Sequence, residues 1–69
     1  MKYFEIYTEN AVDAWSMASL FDGESACYNI GPDEEMYIVK FITASDEELV
    51  KLTLSILDID YEDIISQEI

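Results

Sequence analysis

Histidine and arginine are absent from this chain of 69 residues, cysteine occurs once, at Cys27, and lysine only three times. Each shortage removes a class of chemistry. Without histidine there is no imidazole base and no Cys/His constellation for structural zinc. A lone cysteine closes no internal disulfide, which fits a reducing cytoplasm. No apolar run reaches the ~18 residues of a membrane-spanning helix, and the opening MKYFEIYTEN has an acid at its fifth position where a signal peptide would be apolar. A soluble, cytoplasmic protein is expected. Three lysines against sixteen acidic residues leave a net charge of −13 and an isoelectric point near 4.1. That sign argues against direct contact with nucleic acid or an anionic membrane and favours a basic protein partner.

What the chain does have is core material. Apolar residues make up 51% of it, including one Trp, five Tyr and three Phe, far more than an acidic disordered tail contains. One small domain spanning residues 1–69 is expected. A chain of this size buries only ~60% of its unfolded surface, so its stability is marginal and a homodimer or tight partner would assist it.

Periodicity divides the chain into five elements and a last short turn. KYFEIYT, residues 2–8, alternates as a half-buried strand does, with Phe4 and Ile6 on one face and Tyr3, Glu5 and Tyr7 on the other. NAVDAWSMASLFDG then takes a helical period: Ala11, Ala14, Trp15, Ala18 and Phe21 form one stripe flanked by Val12, Met17 and Leu20, Asn10 caps the start and Gly23 supplies a left-handed stop. SACYNI and EMYIVKFIT are rich in aromatic and β-branched residues and are broken by GPDE, which reads as a hairpin. SDEELVKLTLSIL opens with a capping box from Ser45 to Glu48 and sets Leu49, Leu52, Thr53 and Ile56 on one stripe, with Val50, Leu54 and Leu57 beside it. Asp60 can cap a last short helical turn carrying Tyr61, Ile64 and Ile65.

The order β-α-β-β-α predicts a two-layer α+β domain, with both helices on one face of a three-stranded antiparallel sheet of order 1-3-2. The second face would lie open, presenting Tyr3 and Tyr7 beside Ile38 and Ile42, with Lys40 opposite Glu5 as a cross-strand pair. Trp15, Met17 and Met36 are expected to be ordinary packing residues.

The acidic runs are the chemical signal. Asp58, Asp60 and Glu62 match alternate positions of a calcium loop, but Asp63 stands where the sharp turn needs glycine and Ile69 where a bidentate glutamate belongs, so no metal site is expected. Carboxylate pairs could do acid/base work only in a pocket that so small a core can hardly enclose, and the serines lack a histidine or a Gly-rich nucleophile turn. Neither catalysis nor a cofactor is expected. The remaining runs, Asp33–Glu34–Glu35, Asp46–Glu47–Glu48 and Asp58, Asp60, Glu62 and Asp63, exceed the net charge of ~2 to 8 that solubility requires. Carboxylates so arrayed accept hydrogen bonds from Arg and Lys much as phosphate oxygens do.

In size and in these runs the chain resembles the small acidic anti-restriction and anti-CRISPR proteins of phages. That resemblance implies a non-enzymatic inhibitor that occupies the basic cleft of a nucleic-acid-binding protein. The alternative is an adaptor-like or antitoxin-like module that docks or dimerises through the Tyr3, Tyr7, Ile38 and Ile42 face.

Overall fold

The computed structural model describes all 69 residues apart from the side chain of Tyr28. It contains an antiparallel sheet of four strands and two helices. In chain order these are β1 (Lys2–Thr8), α1 (Ala11–Leu20), β2 (Glu24–Gly31), β3 (Glu34–Thr43), α2 (Glu47–Ile56) and β4 (Asp63–Glu68).

The expected three-stranded sheet of order 1-3-2 is corrected to four strands in the order β2-β3-β1-β4. The extra strand is the segment read as a terminal helix. β1 pairs with β3 on one side, Phe4 opposite Phe41 and Ile6 opposite Val39, and with β4 on the other, Ile6 opposite Ile64 and Glu5 opposite Ile65. Ile64 and Ile65 are adjacent, so in a strand they take opposite faces, and Ile64 packs against the core while Ile65 is exposed. Pairing also satisfies backbone groups of β1 that a helical turn would have left open.

Phe4, Ile6, Val39 and Phe41 form the helix-side face of the sheet. Ala14 and Met17 of α1, Val50 and Leu54 of α2, and Ile59 from the following loop complete one buried cluster. Phe41 stacks between Phe4, with centroids 5.2 Å apart, and Phe21, at 4.2 Å.

The helix caps explain which faces turn inward. Asn10 Oδ1 accepts from the Val12 and Asp13 amides, as its position suggests, but α2 is capped by Asp46, whose carboxylate accepts from Leu49 N at 2.9 Å, and not by Ser45. At the far end of α2, Ile59 N donates to Leu54 O and Asp58 N to Ser55 O, a Schellman closure that brings Ile59 against Leu54. Leu54 and Val50 are therefore buried, and the expected inward stripe of Leu49, Leu52 and Ile56 is exposed. α1 ends likewise, with Gly23 N donating to Ala18 O. Its left-handed residue is Asp22, at φ 52°, and not Gly23.

Gly23 is needed for space. A Cβ there would stand 2.5 Å from Lys40 O and 2.8 Å from Phe41 Cβ. Because α1 is held so close to the sheet, small Ala14 and flexible Met17 occupy the interface, and Trp15, expected to be packed, is 77% exposed. Gly23→Ala should therefore destabilise the fold by roughly 1–3 kcal/mol through backbone overpacking. Urea denaturation measures this; an unchanged midpoint would contradict the close approach.

Candidate functional site

Chain topology gathers carboxylates at one end of the sheet. β1 finishes there, with Thr8 opposite Tyr37, and the β2–β3 hairpin extends beyond that pair. Glu9 consequently lies across from the hairpin and shares a hollow of about 660 Å³ with Asp33, Glu34 and Glu35. α1 begins at this end and α2 finishes at it. Their loops are tied in by three hydrogen bonds: Thr8 Oγ1 donates to Asp60 O at 3.1 Å, Glu62 N to Tyr7 O at 2.7 Å, and Asp60 N to the Asp13 carboxylate at 3.4 Å. β4 starts beside Tyr7 with Asp63.

Glu9, Asp13, Asp33, Glu34, Glu35, Asp58, Asp60, Glu62 and Asp63 therefore share one end, nine of the sixteen acidic residues. No lysine joins them. Lys40 sits mid-sheet, opposite both Glu5 and Glu24. Lys2 is at the far end, opposite Thr43 and Glu68, and Lys51 bridges to Glu47 within α2 at 3.2 Å.

Two of the three acidic runs are thus brought together, Asp33 to Glu35 and Asp58 to Asp63. The third is set apart by the length of the sheet. Asp46 caps α2, and Glu47 is held by the Ser66 hydroxyl at 2.8 Å and by Lys51, which keep its carboxyl below the usual range. That run serves local structure. Glu9 and Asp13 belong to the site but stand outside the runs; the strand-to-helix boundary at Asn10 was the signal that places them. Among the described residues, no three carboxylate or thiol groups converge closely enough to hold a metal ion.

The other expected surface is the sheet face away from the helices. Tyr3, Tyr7 and Ile38 are half-buried there and Ile42 is exposed, and β4 adds exposed Ile65, missed when that segment was read as helical. At its centre Glu5 receives the Tyr3 hydroxyl on one carboxylate oxygen and the Tyr7 hydroxyl on the other, both at 2.9 Å. These two bonds hold the Glu5 carboxyl below its ordinary value of 4.5, and Lys40 contributes less. Tyr3 is correspondingly raised, by desolvation first and then by Glu5. On the helix side, the Tyr37 hydroxyl donates to Glu35 at 3.0 Å and is pushed up to about 12, by that bond first and by Cys27 next.

Some acids occupy positions that folding disfavours. Asp22 (φ 52°), Asp33 (φ 61°) and Asp58 (φ 56°) have left-handed backbones where glycine is usual, and Asp22 and Asp58 close helix C-termini, where a negative charge opposes the dipole. Asp58→Gly should raise stability by roughly 1 kcal/mol, with Asp58→Asn recovering the electrostatic part. Chemical denaturation reads both, and a destabilised Gly variant would show that Asp58 has a local structural use. For Glu5 the folded carboxyl is depressed, so its contribution is complete above the ordinary value and is lost as pH falls through the folded one. The stability gap between wild type and Glu5→Gln should therefore be widest at neutral pH and close under acid. A gap independent of pH would mean that the tyrosine clamp does not favour the ionised form.

Among the described residues, no helix is long and apolar enough to cross a membrane. No protein-family model, no curated protein and no solved structure matches this chain.

Proposed function

We propose that the protein is a non-enzymatic inhibitor of a nucleic-acid-binding protein, working as an acidic mimic that enters a basic cleft. The observation that carries this reading is the end bearing nine carboxylates and no lysine. A partner's Arg and Lys side chains can pair there with oxygens that have no internal cation to compete for them.

Scale supports the same reading. The molecule measures 37 × 25 × 18 Å. Duplex DNA as long as its 25 Å breadth carries about 15 phosphate charges, the same order as the acidic end presents. Location supports it too, because Asp33 and Asp58 lie at this end in left-handed conformations that stability alone would assign to glycine. A carboxylate placed at a structural disadvantage there adds charge where the site already gathers it. The reading fits an inhibitor of the anti-restriction or anti-CRISPR kind, acting in the cytoplasm of a host cell.

The sheet face supports a second reading, an adaptor-like module docking through Tyr3, Tyr7, Ile38, Ile42 and Ile65. Its exposed isoleucines favour it and the charge of half-buried Glu5 opposes it, because a partner covering that carboxylate would have to supply a donor.

The two readings differ in salt response. A partner captured on the immobilised protein should be displaced by duplex DNA, and raising salt from roughly 50 to 200 mM should weaken capture by orders of magnitude. Neutralising Asp33, Glu34, Glu35, Asp58, Asp60, Glu62 and Asp63 to their amides should abolish it, while Tyr7→Ala and Ile38→Ala should not. Capture that ignores salt and DNA but fails on Tyr7→Ala would overturn mimicry and establish the sheet face.

A further inference from the structure

We propose that the outer edge of β2, with the exposed flank of α1 beside it, is the contact surface of a homodimer in which two copies join β2 to β2 in antiparallel register. The surface lies apart from the open sheet face and meets the acidic end only at Asn29, Ile30 and Gly31, which line its hollow.

The sheet has two edge strands, and they are built differently. β4 is six residues long, with Asp63 and Glu68 at its ends and Glu62 just before it, a charged edge of the kind that resists further pairing. β2 is eight residues long and carries no charge, lysine or proline from Ser25 to Gly31. Among the described residues, its outer side has no strand partner. In a chain with sixteen acids, such an uncharged run on a free edge is the exception that needs a reason.

The helix layer beside that edge is apolar and uncovered. Ser25 and Cys27 pair with Val39 and Tyr37, so they lie on the helix side of β2. There Val12, Trp15, Cys27 and Tyr37 line a groove of about 300 Å³, with Trp15 77% and Val12 70% exposed. An edge that offers backbone pairing and an indole standing alongside it can be closed in one step by a second sheet and helix.

The free, self-complementary edge suits a second copy, and charge selects this surface and the antiparallel register. Two molecules of net charge −13 approach best through their least charged surface. Antiparallel pairing also sets the acidic end of each copy beside its partner's opposite end, whereas parallel pairing would bring the two acidic ends together. A two-fold axis needs nothing more than one self-complementary edge. An eight-residue strand is about 27 Å long. Over the molecule's smallest extent of 18 Å this outlines nearly 500 Å² per copy, or about 1,000 Å² in all, the lower bound for a specific interface. The exposed stripe of Leu49, Leu52 and Ile56 on α2 competes less well, because Asp46 and Glu48 border the same hollow and self-contact would oppose like charges.

Sedimentation equilibrium at roughly 100 µM protein and 0.15 M salt tests the proposal. Wild type should sediment at twice 7.9 kDa. Trp15→Glu and Cys27→Glu, both at exposed positions, should sediment as monomers with unchanged circular dichroism, and Tyr7→Ala and Leu52→Glu should remain dimers. Amide exchange of the wild type should be slower across Ser25 to Ile30 at concentrations where it is dimeric than where it is monomeric. A wild type that is monomeric, a dimer lost through Tyr7→Ala or Leu52→Glu in place of Trp15→Glu, or protection that changes in β4 and not in β2 would overturn it.

Discussion

Phe41 joins the two central strands to the end of α1. It stacks on Phe4 across the central β1–β3 pair and on Phe21 where α1 ends, so one aromatic column ties both middle strands to a helix. The column dictates its surroundings. Phe21 reaches Phe41 only if the chain after α1 turns hard against β3, and that turn brings Gly23 to Lys40 O. α1 is then so close to the sheet that Ala14 fits beneath it and Trp15 does not. The exposed indole is a consequence of the stack, and so is the uncovered groove along β2.

A core this small sets a limit on charge. Every carboxylate must stay hydrated, because burying one without a partner costs more than so thin a cluster can offset. The single acid in the middle of a sheet face, Glu5, has two tyrosine hydroxyls at 2.9 Å. The others lie at ends, turns and caps. Some of those positions reward an acid: Asp46 caps α2 and Glu47 joins Lys51 and Ser66. Others penalise it, above all Asp58, left-handed at a helix C-terminus. A chain optimised for stability would separate these two groups. This one keeps both, and the penalised acids at the hairpin end are the ones whose presence the proposed inhibitory role accounts for.

Much of this was legible in the order of residues. Alternation located β1, the Gly-Pro break located the hairpin, and Asn10 marked where α1 starts. Periodicity failed where two answers had equal apolar content. On α2, Leu49, Leu52 and Ile56 form as good a stripe as Val50 and Leu54, and only the closure at Ile59 decides between them. On α1 the deciding fact was the proximity of Gly23 to β3, which no local pattern encodes. The DIDYEDIISQEI stretch fits either period, because two adjacent isoleucines satisfy a helical turn and a strand pair alike; the free edge of β1 settled it. The acidic runs were plain, but their convergence depends on topology. Glu9 and Asp13 belong with Asp33 because β1 ends, α1 begins and the hairpin turns at the same end of one sheet.

Apolar exposure and acidic exposure are linked in such a molecule. With 51% apolar residues and, among the described residues, nine buried in the core cluster, part of the apolar surface must face water. Some of it lies among carboxylates, as Leu49 and Leu52 do beside Asp46 and Glu48. The rest is set apart from them: carboxylates gather at the hairpin end, and uncharged residues run along β2 and the flank of α1. A particle polarised in this way has one surface suited to a cationic cleft and another suited to its own kind. Joined edge to edge about a two-fold axis, two copies would hold their acidic ends on opposite sides of one continuous sheet, with each end free to be gripped and neither repelling the other at close range.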